Sequence, residues 1–405
     1  MRILLVTQWF NPEPNNMKGL VFAKELKKRG IAVEVLTGFP NYPTGKIYDG
    51  YRLQWYHKEE MDEITVHRTW LYPSHDGNKW KRMANYFSFG IFAALIGNRR
   101  IKGQIDVVYV YHPPVTSAIA AFHIAKQKKA KVVLDINDLW PDSIAATGMM
   151  NNEKLLKVIG RWCLRTYKKA DAINVLSPGI KQDLMSRGVP EEKIQVIPVW
   201  CNESVITAQR NGDFAKKHHC DEKFTLMYAG AVGVAQGLDV LVDVAKNLSN
   251  RYPKIQIIIV GTGTCAQSIQ DRIAQENLSN IAILPPVPSE EVALVLNTAD
   301  VLFVHLKKDG LFAHTVPSKI PMYMSLKKPL IVGLEGDAAD IIGNADCGVV
   351  CKPEDTQAIT DALIAMYEMD TADRKQMAER GFAYYQKQLS LESGVNQFAE
   401  LFQNV

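Results

Sequence analysis

Short runs of β-branched and other apolar residues recur along the chain, separated by amphipathic segments. Six runs precede residue 200, at positions 3–7, 33–37, 107–111, 131–136, 172–176 and 195–198. The segments 19–29 and 116–128 have the apolar spacing of helices that pack on a sheet. Because parallel strands need long crossover connections, this alternation predicts an α/β fold with a parallel sheet.

The same pattern starts again after residue 199. Six further runs lie at positions 224–229, 255–260, 280–284, 301–305, 329–333 and 348–351. A polar loop and a charged stretch separate the two series. We therefore predict two Rossmann-like domains, 1–200 and 201–384, whose parallel sheets face across a cleft, and a C-terminal helical segment, 385–405, that returns to the first domain.

Charge and cysteine content exclude several classes of protein. Lys and Arg exceed Asp and Glu by only 47 − 43 = 4, which is too few for a general nucleic-acid-binding protein. The six cysteines include no C-x-x-C pair, so neither a zinc ribbon nor a thioredoxin-like site is expected. The apolar run 3–6 is too short for a signal peptide, and no apolar stretch reaches about 18 residues. We expect a cytoplasmic protein, peripherally associated with the inner face of the cell membrane.

A helix start in the second half is the strongest sign of an anion site. It reads Val316-Pro317-Ser318-Lys319 and is followed by apolar residues at helical spacing. Ser318 is a favourable N-cap, and a helix N-terminus presents free N–H groups and partial positive charge. With Lys319 in its first turn, this end is predicted to bind a phosphate or diphosphate. The alternative is an ordinary capped surface helix with a solvated lysine.

Two glycine loops follow strands in the same half. Gly230 and Gly233 come after the run 224–229, where small residues let backbone amides approach an anion. Gly261 and Gly263 come after the run 255–260 and fit the dinucleotide pattern G-x-G-x-x-A. The acid that this pattern needs about 20 residues later is replaced by the apolar run 281–284, which disfavours NAD. No D-x-D motif occurs in the chain, so we expect no metal clamp on a diphosphate.

Polar residues also follow three strands of the first half: Asn16, Lys18 and Gly19, then His112, then Asn137 and Asp138. The carboxyl ends of parallel strands face the predicted cleft, so we expect these residues to contact an acceptor. A carboxylate or imidazole there could orient the acceptor hydroxyl. A lone histidine is more often structural, and that alternative stays open for His112.

The segment 79–102 has the composition of a membrane-interface helix. A mostly apolar run, 83–96, contains Phe87 and Phe92 and is flanked by cations, with no acid in between. The cations are Lys79, Lys81, Arg82, Arg99, Arg100 and Lys102. Such a helix can lie in the interface of an anionic membrane. The alternative is a long core helix with solvated ends.

Taken together, five segments resemble one group of enzymes. They are Phe10-Asn-Pro-Glu-Pro14, the stretch 37–51, Asp138-Leu-Trp-Pro-Asp-Ser143, Tyr228-Ala-Gly230 with 235–238, and Val316-Pro-Ser-Lys319. On these residues the chain resembles, over essentially its full length, the GT4 group of GT-B glycosyltransferases. The likeness is closest to the WbuB-like subgroup, described as N-acetyl-L-fucosamine transferases of bacterial polysaccharide (O-antigen or capsule) biosynthesis.

The resemblance implies a UDP-sugar donor on the C-terminal domain, an acceptor on the N-terminal domain, and retaining transfer without a metal cofactor. It implies that Lys319 and either Asn137 or Asp138 act in catalysis. The implied donor-diphosphate ligands are Lys319, Ser318, Gly230, Gly233 and Gln236. The residues implied near the nucleotide and sugar are His314, Pro317, Met322, Gly261 and Gly263.

The implied acceptor is a polyprenyl-diphosphate-linked sugar at the cytoplasmic face of the membrane. Its expected ligands are Asn16, Lys18, Gly19 and His112. The expected contacts with lipid and lipid phosphate are Lys81, Arg82, Phe87, Phe92, Arg99 and Arg100.

Departures from the wider group leave two alternatives open. His314 and Met322 stand where that group has the two glutamates of an E-x7-E pattern, and Ala231 and Gln236 stand near the places of its Arg and Lys. A UDP-sugar epimerase on the same scaffold would need no acceptor and no membrane helix. A non-catalytic nucleotide-sugar-binding assembly subunit would account for the missing glutamates.

Overall fold

The computed structural model describes residues 1–14, 17–75, 78–146, 152–308, 310 and 312–405, and its strands form two sheets. The first sheet contains β1 (Arg2–Val6), β2 (Ala32–Gly38), β3 (Tyr56–Met61), β4 (Ile64–Thr69), β5 (Val107–His112), β6 (Lys131–Ile136), β7 (Ala172–Val175) and β8 (Ile194–Val196). The second contains β9 (Phe224–Ala229), β10 (Ile255–Val260), β11 (Ile281–Leu284), β12 (Val301–His305), β13 (Leu330–Gly333) and β14 (Gly348–Cys351).

The helices alternate with these strands as the sequence predicts. Those before β9 are α1 (Leu20–Lys28), α2 (Lys79–Phe92), α3 (Asn98–Arg100), α4 (Ser117–Lys128), α5 (Asp142–Ala146), α6 (Glu153–Lys169), α7 (Pro178–Ser186) and α8 (Gly212–Lys217). Those after β9 are α9 (Val240–Leu248), α10 (Ala266–Gln275), α11 (Val292–Leu296), α12 (Lys319–Ser325), α13 (Asp337–Ala345), α14 (Thr356–Glu368), α15 (Thr371–Tyr384) and α16 (Leu391–Gln403). A π-helical turn, Ala93–Gly97, joins α2 to α3.

The first sheet has the order β3-β4-β2-β1-β5-β6-β7-β8. At the centre of the sheet, Ile3 of β1 pairs with Val33 of β2 on one side and with Val107 of β5 on the other. All neighbours run parallel except β3, which pairs antiparallel with β4 at the edge. The predicted parallel sheet is confirmed, with an antiparallel hairpin added at this edge.

The second sheet is parallel throughout, in the order β11-β10-β9-β12-β13-β14. Successive side chains of a strand point to opposite faces of the sheet, so β9 contributes to the hydrophobic cores on both faces. Met227 and Ala229 belong to one core, whereas Leu226 and Tyr228 belong to the other. Burial on both faces explains why these strands are continuous apolar runs that sequence analysis can locate.

The chain divides into two compact units, 1–198 with 394–405, and 199–393. The division lies two residues before the predicted boundary, and the returning segment starts at Gly394 rather than at residue 385. Within the first unit, Phe398 of α16 contacts Phe22 and Tyr109, with ring centroids 5.2 and 5.6 Å away. No helix in the described part of the chain is both long and apolar enough to cross a membrane.

Candidate active site

In the second unit, the loops that follow β9 and β10 lie against each other. Gly230 and Gly261 have φ angles of +140° and +157°. A Cβ atom at position 261 would lie 1.9 Å from the carbonyl oxygen of Gly230. The amides of Gly230 and Val232 donate to the carbonyls of Val260 and Thr262, both at 2.9 Å. Only glycine fits this contact, which joins the two loops at the carboxyl end of the sheet.

The prediction that free backbone amides at Gly230 and Gly233 bind an anion is corrected by these hydrogen bonds. The amides of Gly230 and Val232 are used between the loops, and the amide of Gly233 donates to Oε1 of Gln236 at 3.1 Å. Gly263 packs on the same loop, because its Cβ would lie 2.3 Å from the carbonyl oxygen of Val232. The amides of Gly230 and Gly233 and the Oε1 atom of Gln236 therefore shape the loop rather than present free groups to an anion.

Lys319 supplies the positive charge at this edge. Its Nζ and Cε atoms lie 2.5 and 2.7 Å from the position that a Cβ of residue 230 would occupy. The ammonium lies 5.0 Å from the centroid of the Tyr228 ring. Burial lowers the pKa of Lys319, and no carboxylate in the described part of the chain pairs with it. A half-buried cation without an acidic partner favours an anionic ligand.

Tyr323 fixes the position of Lys319. Its buried hydroxyl accepts from the amide of Ala229 at 3.2 Å and donates to the carbonyl of Ala229 at 3.3 Å. Ala229 is the last residue of β9 and Tyr323 lies one helical turn after Lys319. These bonds hold α12 at the carboxyl end of β9, so Lys319 is placed by the sheet and not by a mobile loop.

Ser318 occupies the predicted N-cap position of α12, but its side chain does not cap the helix. Its backbone is helical, with φ −60° and ψ −11°, and its side chain makes no capping hydrogen bond. The carbonyl of Pro317 accepts from the amide of Ile320 at 3.0 Å, so the turn already begins at Pro317. The Lys319 ammonium is therefore the charged group at this helix start, without a capping serine beside it.

The two positions of the wider group's glutamates differ in their surroundings. The His314 imidazole is exposed, and its Nδ1 lies 3.7 Å from a carboxylate oxygen of Asp337. Met322 is half-buried and packs against the core formed with Met227 and Ala229. Met322 thus packs α12 against the core, whereas the His314 side chain is accessible to solvent.

His305, which sequence analysis missed, supports the loop after β9. Its Nδ1 donates to the carbonyl of Gln236 at 2.7 Å, and its Nε2 accepts from the amide of Glu354 at 2.9 Å. Burial lowers the pKa of His305, which matches this neutral tautomer. A Cβ at Gly333 would lie 2.2 Å from the ring. The only sequence signal was a histidine ending a buried strand.

The first unit contains a cavity of about 430 Å³ at the carboxyl ends of its strands. Its aromatic walls are Trp9, Tyr42, Tyr86, Tyr111 and Trp140, and its polar groups include His75, Arg82, Asp138 and Ser143. The pKa of His75 is lowered, first by burial and then by the Arg82 guanidinium. Mostly apolar walls with a few convergent polar groups are typical of small-molecule sites.

Asp138 is the ionisable acid of this cavity. Its side chain reaches solvent, but the surrounding protein raises its pKa above the ordinary aspartate value. The pKa of Tyr111 in the same wall is raised first by burial and then by the charges of Asp135 and Asp138. A carboxylate with a raised pKa in a concave site is a candidate for proton transfer or for orienting a hydroxyl.

Lys18 and Asn137 lie in a buried network instead of in this cavity. Lys18 is 1% exposed, and its Nζ lies 2.6 Å from Oδ2 of Asp135. Tyr109 and Asn174 donate to the same carboxylate at 2.5 and 2.7 Å. Asn137 donates to it at 3.2 Å. The expectations that Lys18 contacts an acceptor and that Asn137 acts in catalysis are corrected, because their polar groups are used on Asp135.

We expect Lys18→Met to lower the free energy of unfolding by about 3–5 kcal/mol, because it leaves Asp135 buried and uncompensated. Urea denaturation measures the loss. The control is Lys24→Met, whose exposed pair with Asp62 is worth at most about 1 kcal/mol. Equal effects of the two substitutions would contradict a structural role for Lys18.

His112 is also a core residue, which corrects its predicted contact with an acceptor. The ring is fully buried between Trp140 and Tyr167, with centroids 5.9 and 5.8 Å away. Burial lowers the pKa of His112 to about 4.

Gly19, another predicted acceptor contact, is likewise buried, at the start of α1. Asn16 lies outside the described residues.

The neutral His112 makes stability depend on pH. Its pKa is lower in the folded state, so its contribution is complete above pH 6.5 and is lost as the pH falls toward 4. Wild type should lose about 2 kcal/mol of unfolding free energy between pH 7 and pH 5 beyond the loss in His112→Gln. Chemical denaturation at the two pH values measures this difference. Parallel losses in the two proteins would refute it.

The predicted membrane segment has two faces. Lys81, Phe87, Arg99 and Arg100 are exposed. Phe92 instead packs edge-on against Trp70, with centroids 4.7 Å apart. Arg82 lines the cavity, and its predicted contact with an acceptor phosphate stays a prediction.

Glu13, a residue that sequence analysis missed, positions one wall of the cavity. It is buried and accepts from the amides of Asn41 and Tyr42, both at 2.8 Å. Desolvation raises the pKa of Glu13 to about 7 against these hydrogen bonds. The Tyr42 ring lines the cavity, so Glu13 supports the wall from behind and is not itself a lining residue.

Comparisons with known proteins match this architecture. A family model described as glycosyl transferase 4-like domain matches residues 20–200, and one described as glycosyl transferases group 1 matches residues 209–384. WcaI of Escherichia coli strain K12, provisionally named a colanic acid biosynthesis glycosyl transferase, is 24% identical over 76% of this chain and 77% of its own. WbjE of Pseudomonas aeruginosa, provisionally named a glycosyltransferase, is 22% identical over 71% of this chain and 72% of its own.

Solved structures share the fold. Anabaena HepE in complex with UDP and glucose has a TM-score of 0.69 at 14% identity, over 100% of both chains. An Escherichia coli structure described as trehalose-6-phosphate bound with UDP-2-fluoro glucose has a TM-score of 0.73 at 12% identity, over 100% of this chain and 99% of that one.

The two parallel α/β sheets and these likenesses define a GT-B fold. The chain belongs to the GT4-like glycosyltransferases, with a glycosyl transferase 4-like domain followed by a group 1 domain. The expected enzyme class is confirmed. Relatives named as transferases favour neither the epimerase nor the non-catalytic subunit.

Proposed function

We propose that this glycosyltransferase moves a sugar from a UDP-sugar to a lipid-linked saccharide, with retention and without a metal ion. The observation that carries the proposal is the Lys319 ammonium beside Gly230, half-buried and without an acidic partner in the described part of the chain. A diphosphate leaving group gains charge as the glycosidic bond breaks. A fixed cation at that point lowers the barrier, because its interaction strengthens in the transition state.

The second unit is the proposed donor site. Lys319 would bind the diphosphate, and the loops at Gly230 and Gly261 would let the nucleotide approach the end of the sheet. The neutral His305 would hold the loop in position. UDP as the nucleotide is supported by the names of the solved structures with the same fold, which contain UDP or a UDP-sugar analogue.

The cavity of the first unit is the proposed acceptor site. Asp138 would orient the attacking hydroxyl, and Arg82 would pair with an acceptor phosphate, for which a guanidinium is suited. Five aromatic side chains would contact the sugar faces. A volume of about 430 Å³ suits a small polar head group and not a whole lipid.

Peripheral attachment to the cytoplasmic membrane face is supported by the exposed side of α2 and the turn after it. Trp80, Phe87, Ile91 and Leu95 are exposed large apolar residues spaced along one side. Lys79, Lys81, Arg99 and Arg100 are exposed near the two ends. Apolar residues between cations suit an anionic bilayer surface.

The sugar we propose is an N-acetylated deoxyhexosamine such as N-acetyl-L-fucosamine, and the product is a surface polysaccharide such as O-antigen or capsule. The supporting observations are the WbuB-like segments of the sequence and the name of WcaI, which refers to colanic acid biosynthesis.

A thermal-shift screen of UDP- and GDP-sugars, followed by transfer assays, tests the proposal. A bound donor raises the melting temperature by mass action, so UDP-sugars should stabilise the protein and GDP-sugars should not. Adding a polyprenyl-diphosphate sugar should then release UDP and elongate the lipid-linked saccharide. Isomerised UDP-sugar without an acceptor, or donor binding with no transfer to any acceptor, would contradict the proposal.

A further inference from the structure

An apolar groove of about 470 Å³ runs between α2 and α6 in the first unit. From α2 it is lined by Trp80, Met83, Ala84 and Phe87. From α6 it is lined by Leu155, Val158, Ile159 and Trp162. Trp80 is 77% exposed and Val158 is 56% exposed, so the groove opens to the surface. Phe87 of α2 stacks on Trp162 of α6, with ring centroids 5.8 Å apart and planes at 13°.

Trp140 lines both this groove and the polar cavity that contains Asp138. Helix α2 also faces both. Arg82 and Tyr86 line the cavity, whereas Met83 and Phe87, the next residues in each case, line the groove. The cavity and the groove are therefore neighbours that share Trp140 and helix α2. An amphiphile with its charged head beside Arg82 would have its apolar end over Trp140.

The charge around the groove matches an anionic amphiphile at a membrane. Helix α6 carries six Lys or Arg residues and a single acid, Glu153. Lys154, Lys157, Arg161 and Arg165 are exposed on its outer side. Helix α2 adds the exposed Lys79 and Lys81 and carries no acid. A cationic rim around an apolar groove attracts lipid phosphates and disfavours a basic protein partner.

We propose that this groove binds the isoprenoid units next to the diphosphate of the acceptor, while the cavity binds its head group. The inference rests on the proposed function and adds α6, Trp140 and the groove to the acceptor site. It predicts that affinity depends on the length of the isoprenoid chain even where no bilayer is present, because each unit placed in the groove buries apolar surface.

Calorimetric titration with prenyl diphosphates of 5, 10 and 15 carbons, without vesicles or detergent, tests the groove independently of sugar transfer. Wild type should bind about tenfold more tightly with each added unit. Ala84→Phe, which fills the groove from an exposed position, should abolish this gain and weaken the binding of the 15-carbon compound far more than that of the five-carbon compound. Val158→Asn should reduce the gain without filling the groove.

The matched control is Ile91→Asn, which changes the same exposed stripe of α2 outside the groove and should retain the full dependence on length. An affinity that does not change with length in wild type would overturn the proposal. An unchanged increase of affinity with chain length in Ala84→Phe would also overturn the proposal. This holds even if that variant no longer bound vesicles, because the groove residues would then contact only the bilayer. Length-dependent binding without any sugar transfer would support the groove and count against the proposed function alone.

Discussion

Replacing Lys319 by Met is expected to reduce kcat/KM for the UDP-sugar by about 10²–10³, the typical loss of about 2.7–4 kcal/mol for one donor to a developing oxyanion. Methionine keeps most of the side-chain length beside Tyr228 but removes the charge, so the loss reports electrostatic stabilisation and not packing. The change should fall mainly on kcat, since the interaction is strongest when the diphosphate leaves.

Steady-state UDP release with saturating acceptor measures this effect. Lys327→Met is the matched control, because Lys327 follows the same helix but is exposed and paired with Glu379 at 3.0 Å. The control should retain activity within about twofold. If both variants kept wild-type kcat/KM, Lys319 would not be the group that meets the leaving diphosphate.

Replacing Asp138 by Asn is expected to lower kcat by about 10²–10⁴, the usual range for a positioned acid or base, while donor affinity stays unchanged. Burial raises the pKa of Asp138, so wild-type activity should fall on the acid side at a pH above the ordinary aspartate value. The carboxylate form is lost as pH falls through that raised pKa. Asparagine cannot titrate, so the variant should lack this limb.

A pH–rate profile from pH 4 to pH 8 for wild type and Asp138→Asn measures the limb. Asp142→Asn serves as control, since Asp142 pairs with Arg187 at 2.8 Å and does not line the cavity. An acid limb that persisted unchanged in Asp138→Asn would assign the titration to another group.

The buried strands were predictable because burial on both faces requires continuous apolar runs in the sequence. β9, β10 and β12 are covered on both faces and match the predicted ranges without a shift. The edge strand β3 and its neighbour β4 were missed. β3 contains His57, Lys58 and two glutamates, and its turn uses Asp62 and Glu63 at positive φ in place of glycine, so neither apolar periodicity nor turn composition marks it.

The site was predictable only where one short segment contains it. Lys319 is marked by its position at a helix start, and the structure places it beside Gly230 as a cation without an acidic partner in the described part of the chain. Lys18 has a similar local sequence position but lies opposite Asp135, 117 residues away, and that pairing leaves no trace in either segment. The groove was not predictable for the same reason, because α2, α6 and Trp140 form it from separate parts of the sequence.

The proposed mechanism requires that Lys319 binds and stabilises the donor diphosphate. Calorimetric titration of wild type and Lys319→Met with UDP and with UMP tests it most directly, since the two ligands differ by one phosphate. Wild type should bind UDP about tenfold to a hundredfold more tightly than UMP, as expected for a charged hydrogen bond, and Lys319→Met should bind the two nearly equally. If Lys319→Met kept the full preference for UDP, Lys319 would not be the residue that binds the second phosphate.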